Sequence, residues 1–459
     1  MSVSPLETIA SKIESGRLLQ ATRLIARLPA GLAGQPQTRF LAALCAWRLG
    51  RIDQAVEWLE GLVRSADPVR VNAWCLLVEL HHFRGAHQEH ETLLGQPGPW
   101  QHDPRHRLFT ARRIARTDRA AAIEHLRPLW QPQIPLPLRR IAGFEAVAWL
   151  DRLERYDEAF QLATDLHRET TPPFDLPRFL AGFRQQQHLL SRDRCWFEPK
   201  VEPVGQTALI VGLPRSGTTL LEQMLDRHPA VGGIGEYEGI DVVAEGLIRA
   251  GVWPLRIGYL PADVGHSLQR EYLEGARELA QPGSGWTLDK SLATWQWWPA
   301  VAAILPGAVC LHLARDPRDL AISQFLSDLD PIDKGWTASF DGLRAVLGAE
   351  QQLSDLACRR LGLPVIRLTY ETLVQSPEET VRSVLSGLEL PFDPVVLHPE
   401  QNVRSAVTLS HAQVRQPVHA RSVGRWKKYS FAWDARWDRL VEQHQDLPVA
   451  RVAGGDPPG

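Results

Sequence analysis

Along the first 190 residues apolar side chains recur at three- and four-residue intervals, the rhythm of helices that each bury one stripe. Val56-Glu-Trp-Leu-Glu-Gly-Leu-Val63 is representative. The pattern breaks at Glu198-Pro-Lys-Val-Glu-Pro-Val-Gly205, whose two prolines read as a linker. Short apolar runs follow, each leading into a helical segment: Thr207–Leu213, Trp286–Leu288, Ala308–Ala314 and Pro364–Leu368. Strand-like runs alternating with helices predict a parallel α/β sheet. The expected organisation is a helical-hairpin region at 1–190, a linker at 191–205, an α/β domain at 206–450 and a disordered tail at 451–459.

The helical half also repeats. Gly16-Arg-Leu-Leu-Gln-Ala21 returns as Gly50-Arg-Ile-Asp-Gln-Ala55 and Glu154-Arg-Tyr-Asp-Glu-Ala159. Weaker copies stand at Gly85–His90 and Thr117–Ala122. Anchors at 21, 55, 90, 122 and 159 are 34, 35, 32 and 37 residues apart. A period near 34 with a small residue at a fixed point resembles tetratricopeptide repeats, though no copy carries the full set of Trp, Tyr and Pro landmarks. Concave helical arrays of this kind bind peptides or proteins, and the other expected use is a dimerisation platform.

Composition narrows the classes. A formal charge of −2 over 459 residues gives no basic surface for nucleic acid or anionic membrane. No apolar run approaches the ~20 residues that span a bilayer. The N-terminal stretch has no apolar signal core, so a cytoplasmic location is expected. Among the 16 tryptophans, Trp47, Trp58, Trp74 and Trp149 fall in helical segments and read as core anchors. The five cysteines (Cys45, Cys75, Cys195, Cys310, Cys358) are scattered without a CxxC, which supports neither a zinc site nor a disulfide framework.

Candidate chemistry begins at Ala208-Leu-Ile-Val-Gly-Leu-Pro-Arg-Ser-Gly-Thr-Thr-Leu-Leu221, a strand, a glycine-bounded loop and a helix start. Backbone N–H groups of such a loop, with the helix N-terminus behind them, cradle phosphate-like oxygens. The spacing is that of a Walker A loop, but Thr218 stands where that motif has lysine, and the basic residue is Arg215. About one hundred residues later Ala308-Val-Cys-Leu-His-Leu-Ala-Arg-Asp-Pro-Arg-Asp-Leu-Ala-Ile-Ser323 again ends a strand in a charged turn. Arg315 and Ser323 are positioned to converge on a second anion, with Arg318 paired locally to Asp316 or Asp319.

Pro214-Arg-Ser-Gly-Thr-Thr-Leu220 and the Arg315…Ser323 element together resemble the two nucleotide elements of sulfotransferases that use 3′-phosphoadenosine 5′-phosphosulfate (PAPS). The resemblance covers residues 205–432 and is nearest to bacterial repeat-fused and tyrosylprotein-type members. It implies a P-loop-like parallel-sheet sulfotransferase domain behind an all-α, tetratricopeptide-like one. It also implies PAPS as donor, 3′,5′-ADP as product, and no metal. By that resemblance Pro214, Arg215, Ser216, Gly217, Thr218 and Thr219 hold the 5′-phosphosulfate, and Arg315 with Ser323 holds the 3′-phosphate.

Glu236, or else Glu238, matches the glutamate general base, and His228 before Pro229 reads as structural. Lys290 matches the lysine that steadies the leaving group, against a plain pairing with Asp289. Tyr370 has two readings, adenine lining and core packing. Arg421, Ser422, Gly424, Trp426 and Lys427 lie in a basic segment resembling the one that closes over the nucleotide, against a solvated loop. The expected acceptor is a hydroxyl, a peptide or protein tyrosine engaged by the repeats being one candidate. A P-loop kinase using ATP and Mg²⁺, and an inert repeat scaffold, are the alternatives.

Overall fold

The computed structural model describes residues 4–192, 198–291, 294–402, 404 and 415–445; Cys195 and the expected tail at 451–459 lie outside them. Two compact units are present, one built mainly on the chain up to Thr171 and one on the chain from Pro172 onward.

In the first unit helices pair as hairpins. These are α1 (Pro5–Glu14) with α2 (Leu18–Ala26), α3 (Pro36–Arg48) with α4 (Ile52–Val63), and α5 (Arg70–Arg84) with α6 (His87–Gly95). Then come α7 (Pro104–Ile114) with α8 (Arg119–Leu126), and α9 (Leu136–Arg152) with α10 (Tyr156–Thr170). The repeated motif is the turn. Gly16, Gly50, Gly85 and Glu154 take left-handed φ angles of 75°, 78°, 68° and 61°, a conformation that ends one helix and redirects the chain into the next. The anchors Ala21, Ala55, His90, Ala122 and Ala159 are all at 0% exposure in the second helix of a pair. The fourth turn works differently: the Asp118 carboxylate accepts the Ala121 amide at 2.9 Å and caps α8.

A charge ladder with a buried arginine at its centre crosses three hairpins. Glu79, Arg112 and Glu145 stand on α5, α7 and α9, and Arg112 bonds both carboxylates, Glu145 at 2.7 Å. Burial works against the guanidinium charge, but Glu145 and Glu79 prevail and hold it well above the ordinary arginine range. Trp74 and Trp149 are buried as expected; Trp58 is 37% exposed and is not a core anchor.

The second unit holds a five-stranded, all-parallel sheet in the order β2-β3-β1-β4-β5. Its strands are β1 (Thr207–Val211), β2 (Val231–Gly235), β3 (Trp286–Asp289), β4 (Val309–Ala314) and β5 (Val365–Thr369). Every residue of β1 is buried, as a parallel strand covered on both faces requires. Ile210, Leu311, Leu313, Ile366 and Leu368 form one core with Leu221, Met224 and Leu225.

Four strands match the apolar runs. β2 does not: its Val-Gly-Gly-Ile-Gly reads as a glycine-rich turn, yet it pairs with β3 at the edge of the sheet. A Cβ on Gly232 would stand 2.5 Å from the Ser284 hydroxyl, so glycine lets the neighbouring chain approach. The helical rhythm up to 190 includes α11 (Leu176–Leu190), which packs within this second unit. Phe183 stacks on Trp295 at 5.4 Å, and Gln186 donates to the Gln296 carbonyl at 2.9 Å. Among the described residues no helix is long and apolar enough to cross a membrane.

The strand order reverses about β1: the chain moves one way to β3 and β2, the other way to β4 and β5. The crevice at such a reversal, at the C-terminal ends of the strands, is where open α/β sheets take ligands. Adjacent strands lie ~4.8 Å apart, so the row of five strand ends spans roughly 19 Å.

Candidate active site

Every strand ends in a residue singled out above. Read across the sheet, the row is Glu236 after β2, Lys290 after β3, the 212–217 loop after β1, Arg315 after β4 and Tyr370 after β5.

The loop is tightly held. Arg215 and Gly217 both have left-handed backbones, with φ of 73° and 102°. A non-glycine residue there costs on the order of 1–2 kcal/mol. The surroundings fix it: Arg315 donates to the Arg215 carbonyl at 2.9 Å, and Gln324 donates to the Pro214 carbonyl at 2.7 Å. Helix α12 (Thr218–Leu225) starts directly behind, with Thr218 and Thr219 buried in its first turn, where helix N–H groups lack intrahelical acceptors. A Cβ on Gly217 would stand 2.5 Å from the Tyr370 ring. Gly217→Ala therefore adds that clash to a left-handed backbone. A loss of about 1–3 kcal/mol is expected, read by denaturant titration.

The charge at this crevice is positive and desolvated. Burial pushes the Arg215 guanidinium down to about 10, and Arg315 and Arg425 add repulsion. Arg315 is also lowered, chiefly by burial; its guanidinium lies 4.5 Å above the Tyr370 ring, and its Nε is buried with no hydrogen-bond partner among the described residues. Arg215 Nε donates to Ser323 Oγ at 3.3 Å, which brings the two expected anion elements together. The Ser216 hydroxyl is likewise buried without a partner among the described residues. Buried cations that repel one another, beside polar atoms lacking partners, are stabilised by an anion.

The basic segment is docked rather than loose. Both Asp319 oxygens are taken, by the Gly424 amide at 2.6 Å and the Trp426 amide at 2.8 Å. Arg318, on the same helix (Pro317–Phe325), stacks 3.6 Å over the Trp426 ring. It is also 4.0 Å from Asp316 and 3.8 Å from Asp438. Arg315 donates to the Ser422 carbonyl at 2.9 Å. Arg421 and Lys427 are exposed. Arg425, absent from the expected set, sits between the two amides that Asp319 grips, and its charge reaches both buried arginines. Its flanking by Gly424 and Trp426 did not single it out among the cations of that segment.

On the other side of the loop, Lys290 is 2% exposed and its Nζ lies 2.7 Å from Glu236 Oε1. The Glu236 side chain is 41% exposed, so the pair has a buried cation and an open carboxylate. The backbone joins them as well: the Lys290 amide donates to the Gly235 carbonyl at 3.0 Å, and the Gly235 amide donates to Glu222 at 3.0 Å. Asp289, the alternative partner for Lys290, instead accepts from the Tyr272 hydroxyl and the Ser291 amide, each at 2.7 Å. Glu238 is buried at the start of α13 (Gly239–Arg249). His228 is built into the backbone, with Nε2 3.0 Å from the Pro391 carbonyl and Nδ1 accepting the Ala230 amide at 3.1 Å.

The stretch that carries the loop, the Glu236–Lys290 pair and Arg315 is also the stretch that other proteins share. Residues 208–394 match the model of the sulfotransferase family. That match implies a transferase. An uncharacterised protein of Aquifex aeolicus is 25% identical over 319 residues, 65% of this chain and 41% of its own. A protein-tyrosine sulfotransferase of Drosophila melanogaster is 26% identical over 262 residues, 54% of this chain and 51% of its own. The chain thus spans about half or less of the length of these curated relatives. The chain also aligns with the sulfotransferase domain of the Synechococcus PCC 7002 olefin synthase, at 18% identity and a TM-score of 0.40. That alignment covers 56% of this chain and all of the other.

Proposed function

We propose that the chain transfers the sulfuryl group of PAPS to an acceptor hydroxyl. The observation that carries this reading is the row of strand ends: a clustered-arginine anion site on β1 and β4, and a carboxylate–lysine pair on β2 and β3. A donor with anionic groups at both ends of a nucleoside needs two sets of donors, and the 212–217 loop and Arg315 with Ser323 are the two sets proposed, in contact through the Arg215–Ser323 bond. Ser216 Oγ and Arg315 Nε supply donors now lacking acceptors. Tyr370, Ser422, Gly424, Trp426 and Lys427 complete the nucleotide side, and Arg425 joins them.

In the reaction, Glu236 takes the acceptor's proton as its oxygen attacks sulfur in line. A new S–O bond forms, the S–O bond to the 5′-phosphate breaks, and 3′,5′-ADP leaves with the electron pair. Lys290 offsets charge on the departing oxygen, as a fixed cation in a dry site does best. A tyrosine in a peptide or protein is the acceptor this reading favours, supported by the Drosophila relative and by a glutamate in the base position. The helical hairpins are the surface proposed to engage that peptide.

Thermal unfolding with 3′,5′-ADP, PAPS, 5′-ADP and ATP–Mg²⁺ tests the donor. A ligand at ~100 times its dissociation constant adds ~2.7 kcal/mol to the folded state. Stabilisation by 3′,5′-ADP and PAPS but not by ATP–Mg²⁺ is expected. The reverse pattern points to a kinase, and no shift with any of the four points to a scaffold.

A further inference from the structure

Tyr272 belongs to α14 (Ala262–Leu279), a helix that carries none of the residues assigned a role above. It is nonetheless connected to both members of the Glu236–Lys290 pair. Its hydroxyl donates to Asp289 Oδ2 at 2.7 Å, while Asp289 Oδ1 accepts the Ser291 amide at 2.7 Å. Those two bonds bracket Lys290, because Asp289 precedes it and Ser291 follows it. On its other side the Tyr272 ring packs on Tyr237 with centroids 5.4 Å apart, and Tyr237 Oη donates to the Tyr272 carbonyl at 3.2 Å. Tyr237 is the residue after Glu236.

Two glycines make room for this packing. A Cβ on Gly275 would lie 2.0 Å from Tyr237 Oη, and one on Gly239 would meet the Tyr237 and Tyr272 rings at 2.2 and 2.6 Å. Such contacts leave no slack for either ring. Tyr272 and Asp289 are each 1% exposed, so neither bond competes with water.

We propose that Tyr272 is a positioning residue. It fixes Lys290 through Asp289 and Glu236 through Tyr237, and so holds the carboxylate–lysine pair at its 2.7 Å separation. This rests on the sulfuryl-transfer reading for its catalytic consequence, but not for its geometry.

Asp289 reports on the link. Burial pushes its carboxyl up to about 7; the Tyr272 hydroxyl and the Ser291 amide oppose that rise, Glu222 adds to it and Lys290 counters it. Removing the Tyr272 hydroxyl removes one of the bonds favouring the ionised form, so Asp289 then takes up its proton at higher pH.

The test uses Tyr272→Phe in the full chain, which keeps the ring against Tyr237. Turnover is expected to fall about tenfold, with the Kd for 3′,5′-ADP unchanged and the acid limb of the kcat profile moved to higher pH. Adding Tyr272→Phe to Asp289→Asn should cost little more, because both act on one link. Turnover equal to wild type, or a loss that tracks loss of 3′,5′-ADP binding, overturns the proposal. A second readout needs no acceptor: acylation of Lys290 by an amine-reactive ester, followed by peptide mass analysis. It should be slow in the wild type and several-fold faster in Tyr272→Phe; equal rates overturn the positioning role. A wild type inactive on every hydroxyl tested would instead count against sulfuryl transfer alone.

Discussion

With Glu236 as the proposed base, Glu236→Gln is expected to lower turnover by about 100- to 10,000-fold, the range over which a positioned general base contributes, and to leave the Kd for 3′,5′-ADP near its wild-type value. The substitution keeps the length and one oxygen of the side chain, so an acceptor for Lys290 Nζ remains where the carboxylate now lies at 2.7 Å. What is lost is the capacity to take a proton. Initial rates with PAPS and a tyrosine peptide, paired with calorimetric titration of 3′,5′-ADP, separate the two effects. The fold adds a control in Glu238, which is buried at the start of α13, whereas Glu236 is open to the crevice. Glu238→Gln is expected to change turnover little. A collapse with Glu238→Gln and none with Glu236→Gln would move the base by two residues.

The second large effect falls on binding. Arg315→Gln is expected to weaken 3′,5′-ADP about 100-fold, which is the loss of roughly 3 kcal/mol, or two hydrogen bonds to a charged group. The comparison with 5′-ADP is informative. If Arg315 meets the 3′-phosphate, 5′-ADP binding changes much less, because that ligand lacks the group. If both ligands weaken equally, the chief role of Arg315 is the one seen in its contacts, tying the Arg215 and Ser422 carbonyls together.

Much of the sheet was legible because buried parallel strands are continuous apolar runs, and four of the five announce themselves that way. β2 was hidden for a physical reason: three of its five residues are glycine, of which Gly232 meets Ser284 closely and Gly235 has a left-handed backbone, so the strand has little hydrophobic content. The 212–217 loop and Arg315 could be placed at strand ends because their pattern is local, a few residues after an apolar run. Arg425 and Tyr272 were not legible in this way. Each gains its place through a partner far along the chain, Asp319 for the segment that carries Arg425 and Asp289 for Tyr272. Spacing cannot reveal such pairs without the fold. Arg318 was read as locally paired, and Asp316 accepts its amide at 2.8 Å and lies 4.0 Å from its guanidinium, which also stacks on Trp426.

The Glu79–Arg112–Glu145 ladder constrains how the helical array could ever have changed its length. Its members alternate in sign at 33-residue intervals, one on each of three successive hairpins. Excising the middle hairpin would seat Glu79 against Glu145 with no guanidinium between them, and duplicating it would stack arginine on arginine. Either event turns a buried attraction into a buried repulsion. Helical arrays ordinarily grow and shrink by whole units; within the three linked hairpins a viable step is two hairpins at once, so the alternation works as a parity rule on that part of the array.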